Sequence, residues 1–446
     1  MGWIELPAND VLLLRHVRIP AVLLDHEVAL STLAAPLRQE FVETSIGIRG
    51  GKVVSIGDAE LPPTASVIDV GGAILTPAFV DCHTHLDKCH IVSRCAIEGG
   101  DLHAAIDAVE QDKRHWTRDD LRRRAEFGLR TAYAHGVRAM RSHVDVRREE
   151  EPAGPPADAV DVLAELREAW ADRIELQLAT LTPIDDFADE TWARGVADRA
   201  AEHGLVLGAF CYMTADFDAL IARILMLAAD RGLDVDFHVD ETLDPDADGL
   251  ARIAEEVVRQ NFPRRVLCGH ACSLAAMDEA TAREHIELVA KAGLHVVTLP
   301  LTNLYLQDRQ SGQQTPRRRG LTLVHELRAA GVAVSIATDN VRDPFFPYGD
   351  FDPLEAFREA TLVGHLDSPV TSWLDALTHS PANAMGLQWD GRLRVGSPAD
   401  LILWNARDDS ELIGRPHGDR VVLRGGAECT AEGPDYRELD LNRLRD

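Results

Sequence analysis

The sequence predicts an α/β protein: a (β/α)8 TIM-like barrel carrying a small β-sandwich formed by the two chain ends. Three observations predict it. Eight apolar, β-rich segments alternate with Ala/Glu/Arg-rich helical stretches through the middle of the chain. Both ends read instead as short strands and turns. No Gly-x-Gly-x-x-Gly follows any of the eight segments, which favours closure over an open doubly wound sheet. The expected organisation is 1–75 and 389–446 for the two parts of the β-domain, with 76–388 as the barrel.

At the N-terminal end, Val11–Val17, Ser45–Ile48, Lys52–Ile56 and Val67–Val70 are β-rich, with Gly50-Gly51 as a turn signal. Barrel strands are expected at Phe79–His83, Val137–Val146, Ile174–Leu181, Leu205–Tyr212, Val235–Val239, Val266–His270, His295–Leu299 and Val332–Thr338. Helices are expected between them, for example Asp158–Arg173, Thr191–His203, Phe217–Arg231, Leu250–Gln260 and Met277–Ala292. Arg392–Val395, Asp400–Asn405 and Arg420–Arg424 then return to β texture, broken by Gly396-Ser-Pro and Gly425-Gly426.

Composition bounds the function. The chain has 446 residues, 46% of them hydrophobic, enough for a large core. No run approaches the roughly 18 apolar residues of a membrane span. The net charge of −27, spread along the chain, would repel nucleic acid and anionic membranes. Seven scattered cysteines without a Cys-x-x-Cys pair suit reduced thiols. The opening segment, Met1–Asp25, lacks a signal peptide's charged start and apolar centre, so a cytoplasmic location is expected. The partner is expected to be a small molecule, and assembly into a homo-oligomer is left open.

Chemistry concentrates where the barrel strands end. His83-Thr-His85 closes the first strand, and residues i and i+2 of a strand share a face, so both imidazoles can meet one ion. The fifth strand runs into Asp236-Phe-His238-Val-Asp-Glu241, the sixth into Cys268-Gly-His270, and the eighth into Thr338-Asp339-Asn340. Active sites of such barrels lie on this face. His83, His85, His238 and Asp339 make a ligand set for one divalent ion, Fe²⁺ or Zn²⁺, with a position open to water. Such an ion lowers the water's pKa towards neutrality and supplies hydroxide. Glu241, three residues beyond His238, is placed to move a proton without being a ligand, and His270 to hydrogen-bond the water or the substrate; Asp339 combines ligation with proton relay. The fourth strand holds no lysine, and only Lys52, Lys88, Lys113 and Lys291 occur in the chain, which argues against a two-metal centre bridged by a carboxylated lysine. His-Glu-x-x-His, Gly-x-Ser-x-Gly and phosphate-loop motifs are absent, and the one His-x-Glu, His285-Ile-Glu287, lies in a helical stretch without the cysteines of the polynucleotide deaminases.

Together with Arg141-Ser-His-Val-Asp-Val146, Pro300-Leu-x-Asn303-x-x-Leu-Gln307, Arg317-Arg-Arg-Gly320, Asp339-Asn-Val-x-Asp-Pro344 and Gly396-Ser-Pro-Ala-Asp-Leu-Ile-Leu403, these motifs resemble the amidohydrolase superfamily over nearly the whole chain. The closer resemblance is to its cytosine deaminase branch. It implies a mononuclear iron or zinc hydrolase: hydroxide attacks the amino-bearing carbon of an N-heterocycle and ammonia leaves. The same four ligands, Glu241 as proton shuttle and His270 as assistant carry over position by position. Two departures speak against cytosine as the substrate. The branch's ring-reading glutamine after strand three is replaced by Leu181-Thr182-Pro183-Ile184, and Asn340 and Phe345 stand where cytosine deaminases have an aspartate and a tryptophan. Asp-Asn also resembles the triazine N-alkylamino hydrolases, which lack the His-x-Asp-Glu shuttle kept here. Thr182, Ile184, Gln307, Asn340 and Phe345 are therefore the candidate substrate contacts. The expected activity is deamination of an aminopyrimidine, triazine, aminopurine- or pterin-like ring. The alternatives are release of an alkylamine, opening of a cyclic amide, or a non-catalytic binding relative.

Overall fold

The computed structural model describes residues 3–7, 9–25, 40–57, 62–95, 100–146, 157–309, 314–415 and 418–440. They divide into two compact units, one of residues 1–80, 130–138 and 352–433, the other of 81–129, 139–351 and 434–446.

In the first unit, β1 (Val11–Pro20), β2 (Phe41–Arg49), β3 (Lys52–Ile56), β4 (Ser66–Asp69) and β5 (Ile74–Pro77) come from the N-terminal part. Between β5 and the return of the chain to this unit run β6 (Phe79–Thr84), β7 (Val137–Asp145), β8 (Glu175–Leu181), β9 (Leu207–Cys211), β10 (Val235–Val239), β11 (Val266–His270), β12 (His295–Thr298) and β13 (Ala333–Ile336). Then β14 (Leu401–Trp404), β15 (Arg420–Arg424) and β16 (Ala427–Glu428) complete one eight-stranded sheet with β1–β5. Its two chain ends join where β14 pairs antiparallel with β5, Leu401 opposite Pro77 and Leu403 opposite Leu75. Alternating residues Leu12, Leu14, Ile46, Ile48, Leu401 and Leu403 bury one face. The expected strand Arg392–Val395 does not form. Gly391 with φ 74° and Gly396 with φ 93° turn the chain on either side, leaving Leu393 one parallel bridge to Leu24.

In the second unit, β6-β7-β8 form one sheet and β9-β10-β11-β12-β13 another; β7 pairs parallel with β8, and β9 to β13 pair parallel in succession. β6, β10, β11 and β12 are buried along their whole length, as parallel strands covered by helices must be. Single parallel bridges reach from β8 to β9 (Ala179–Val206, Pro183–Phe210) and from the end of β6 to the residues after β13 (Thr84–Asp339). Helices Ala159–Ala169, Glu190–His203 and Glu279–Ala292 begin on Asp158, Asp189 and Asp278, whose side chains accept from free N–H groups of the first turn. Gly204 and Gly293 end the latter two in the left-handed conformation that side chains resist. Among the described residues no helix is long and apolar enough to cross a membrane.

A buried ionic network fixes the segment that leaves β6. Arg124 donates to the carbonyls of Asp87 and Cys89 at 2.7 and 2.9 Å, and through Nε to Asp120 at 2.9 Å. Arg94 binds Asp120 and Asp112 at 2.7 and 2.8 Å. Burial pushes the Asp120 carboxyl up, but hydrogen bonds and charge from the two arginines outweigh it and hold it at about 2, below its ordinary 3.8. The unfolded chain therefore binds this proton first. The resulting stability, roughly 2 kcal/mol, is complete above pH 4 and disappears as pH falls to about 2. Denaturant unfolding at stepped pH should show the parent losing more stability than Asp120→Asn across that window; parallel losses would assign acid sensitivity to other carboxylates.

Candidate active site

The C-terminal ends of β6, β10 and β13 bring four buried donors to one point. His83 Nε2 lies 3.5 Å and His85 Nε2 3.2 Å from Asp339 Oδ1, and His238 Nε2 lies 3.3 Å from His85 Nε2. Ligands about 2.1 Å from a tetrahedral ion stand roughly 3.4 Å apart, so these separations match three of the six edges of such a site; His83, His85 and His238 also group with His143, and Asp339 with His83 and His270. Both oxygens of Asp339, both ring nitrogens of His83 and Nδ1 of His85 and His238 are buried without a hydrogen-bond partner among the described residues. A folded protein seldom leaves so many polar atoms unsatisfied in one place. The residues present fit a divalent ion.

Electrostatics agree. Burial pulls the His85 imidazolium down to about 3 and His238 well below its ordinary range, so both are neutral and able to ligate at pH 7. Burial acts upward on Asp339, but the neighbouring imidazoles overcome it and keep the carboxylate ionised. Burial and the charge of Asp339 push the Glu241 carboxyl well up, giving it a strong hold on a proton. Its Oε1 lies 3.5 Å from His270 Nδ1. Asn303 Nδ2 donates to that Nδ1 at 3.0 Å, which leaves the ring proton on Nε2; Nε2 is buried without a partner among the described residues.

Neighbouring contacts fix these groups. Asp81 accepts from the Thr338 hydroxyl at 2.5 Å and its N–H at 3.2 Å, while the Asp339 N–H donates to the His83 carbonyl at 2.9 Å. Asp339 is thereby seated beside β6. Asp240 receives the N–H groups of Gly249 and Leu250 at 3.1 and 2.9 Å, tying the corner after β10 to the next helix. Asp240, His270 and Asp339 have φ of 52°, 71° and 61°. Such backbone is unfavourable for non-glycine residues and here turns the chain sharply at three strand ends.

Sequence reasoning missed two members of this cluster. His143 on β7 groups with His83, His85 and His238, its ring 4.2 Å from that of His83. Its Nε2 faces Asp236 at 3.1 Å, and Arg141 donates to the other Asp236 oxygen at 2.7 Å. The signal was available: Arg141, His143 and Asp145 share one face of a strand. Asn303 was likewise visible only as a motif residue.

A cavity of about 1060 Å³ opens on the cluster and is lined by His85, His238, Glu241, His270 and Asp339. Of the candidate substrate contacts, Thr182, Gln307, Asn340 and Phe345 line it. Ile184 does not: the short 3-10 helix Ile184–Ala188 turns its side chain into the core, where it is fully buried. Asp186, two residues on, lines the cavity instead.

The model of the Amidohydrolase family matches residues 98–423. The chain is 44% identical over 407 residues to a pterin deaminase of Rhizobium rhizogenes (strain K84 / ATCC BAA-868), covering 91% of this chain and 92% of that one. It is 24% identical over 374 residues to the N-isopropylammelide isopropyl amidohydrolase of Pseudomonas sp. (strain ADP), covering 81% and 87%. The 5-methylcytosine deaminase of Klebsiella pneumoniae, solved with 5-fluorocytosine, is similar at a TM-score of 0.78 and 25% identity, over 95% of this chain and 98% of that one.

Gly269 supplies a test of the cluster. A Cβ there would lie 2.9 Å from His83 Cε1 and 3.2 Å from Nδ1, so Gly269→Ala must shift the His83 ring. Overpacking of about 1–3 kcal/mol should weaken Zn²⁺ binding by at least about fivefold in a chelator-competition titration. Unchanged affinity would remove His83 from the ligand set.

Proposed function

We propose, since the chain belongs to the amidohydrolase family, that it is a metal-dependent deaminase that replaces the amino group of an N-heterocycle by oxygen and releases ammonia. The observation that carries this reading is the buried convergence of His83, His85, His238 and Asp339 beside a proton-holding Glu241. The similar pterin deaminase and 5-methylcytosine deaminase support it. The bridges at both seams of the parallel sheets support closure of β6–β13 into a (β/α)8 barrel.

His83, His85, His238 and Asp339 would hold one Fe²⁺ or Zn²⁺, since imidazole and carboxylate suit both and β9 carries no lysine. The ion would supply a Lewis acid that lowers the pKa of water towards neutrality. Around it the chain's own residues act on protons. Burial alone would keep Glu241 protonated, and a cation at the neighbouring donors would favour its carboxylate. In that form it takes one proton from the attacking water and delivers it to a substrate nitrogen, while the second passes by way of Asp339, so that the amino nitrogen departs as ammonia. His270 presents its Nε2–H to the oxygen that gains charge. Asp236, held by Arg141, orients His143, and Asp81, bonded by Thr338, seats Asp339. Seven cysteines without a disulfide suit a cytoplasmic enzyme.

Selectivity follows from the β8 loop. Pro183 has no N–H and Ile184 points into the core, so this loop offers no side-chain amide to cytosine's edge. A heterocycle panel assayed for ammonia should rank a pterin-like or other fused aminoheterocycle above cytosine; cytosine as best substrate by a wide margin would overturn that reading. Chelation should abolish turnover, and Fe²⁺, Zn²⁺ or Mn²⁺ should restore it. Glu241→Gln should retain metal while losing at least about 10²-fold in rate; near-normal turnover would give the proton work to another group.

A further inference from the structure

The cavity also holds a buried ammonium that the deamination chemistry leaves unused. Lys88 follows His85 by three residues, is 4% exposed and lines the cavity. Among the described residues its Nζ makes one hydrogen bond, to Asp145 Oδ1 at 2.6 Å. An ammonium carries three N–H groups, so two remain for a ligand. Asp145 is more fully engaged: it also meets Lys113 Nζ at 3.0 Å, and its N–H donates to Asp87 at 2.9 Å. Burial opposes the charge on Lys88, but Asp145 and Asp87 more than offset this.

The neutral side chains around the cavity are differently placed. The Thr182 hydroxyl donates to Asp186 at 2.9 Å. Gln307 Nε2 donates to the Glu241 carbonyl at 3.1 Å, and Asn340 Nδ2 to Asp343 at 2.8 Å. Each thus has one donor tied to the protein: Thr182 has no second, and the Gln307 and Asn340 amides have one more N–H each, against two for Lys88 among the described residues. Lys88 keeps a surplus. It also lies beside an aromatic face, its Nζ 5.9 Å from the centre of the Phe345 ring. Asp343 holds that ring's segment by accepting the N–H groups of Phe345 and Phe346 at 2.9 and 3.1 Å. A flat heterocycle stacked on Phe345 would turn its edge to the ammonium.

We propose that Lys88 is a specificity-determining residue, which donates from its ammonium to a ring oxygen of the substrate and so selects oxo-substituted aminoheterocycles over those that lack the oxygen. The inference rests on the deaminase reading and deepens it. It requires a donor with free N–H groups, buried so that the bond is strong, and next to a surface on which a ring can lie.

The test uses a matched pair, 2-amino-4-oxopteridine and 2-aminopteridine, with the metal-loaded parent, Lys88→Met, Lys88→Gln and Lys113→Met. Lys88→Met should lower kcat/KM for the oxo compound about 10- to 100-fold, mainly through KM, and leave the other compound nearly unchanged. Lys88→Gln, which keeps a donor, should recover part of the difference. Lys113→Met, which removes the other lysine from Asp145, should keep the parent's discrimination. Equal losses on both compounds, or none, would overturn the proposal; should Lys88→Met fail to fold, Lys88→Gln is judged by the same criterion. A parent that releases ammonia from neither compound would count against the deaminase reading instead. Calorimetric binding of the same pair to the parent and to Lys88→Gln then decides on Lys88: discrimination lost in the variant supports it, and discrimination equal in both, or absent from the parent, overturns it.

Discussion

A carboxylate sealed from water among buried imidazoles is the constraint around which the second unit is organised. Asp339 is fully buried, and both its oxygens lack hydrogen-bond partners among the described residues. Burying a charge in such a place costs several kcal/mol, of which the imidazole nitrogens at 3.2 and 3.5 Å offset a part. Hydrophobic packing of the strands cannot recover that energy at the carboxylate itself; a divalent cation held by Asp339 and by one ring nitrogen of each neighbouring imidazole would do so directly. The same accumulation of unsatisfied atoms that weakens the metal-free fold locally is what makes the site selective for a cation.

Each donor in turn depends on a contact one bond further out. Thr338 and Asp81 seat Asp339, Asp236 joins His143 to Arg141, Asn303 sets the tautomer of His270, and Asp240 ties the corner before Glu241 to a helix. Three of these anchors are carboxylates, and their environments differ. Asp236, beside His143 and Arg141, is held well below the ordinary range against the opposing effect of burial. Among the described residues no Lys or Arg forms an ion pair with Asp81 or Asp240, and burial pushes both up to about 7. Negative charge is thus concentrated where an imidazole or an ion can use it and reduced where it would only compete.

Much of this was legible in the chain. The His-x-His pair, the polar residues closing successive strands and the alternation with helices depend on strand parity and helix caps, which are local properties. What escaped depends on how the chain turns after a strand. Ile184 was expected to face substrate, but a single 3-10 turn rotates it into the core and brings Asp186 to the cavity. Arg392–Val395 has β composition, yet flanking glycines in left-handed conformation leave no room for a ladder. His143 escaped for a different reason: it lies within β7 rather than beyond a strand end, on the face it shares with Arg141 and Asp145.

That distinction separates chemistry from selectivity in the molecule itself. The donors that converge on Asp339 sit on or next to strand ends, where ladder hydrogen bonds such as those matching His238 with Gly269 and Phe210 fix their position. The groups that face the rest of the cavity, Lys88, Thr182, Gln307, Asn340 and Phe345, come from segments beyond the strands, where sequence change disturbs fewer backbone bonds. Relatives of one architecture can therefore keep the same ligands and proton carrier while taking different rings. A substitution among the ligands tests whether this protein hydrolyses at all; a substitution at Lys88 tests only what it hydrolyses, because the strand framework holding the ligands does not pass through that side chain.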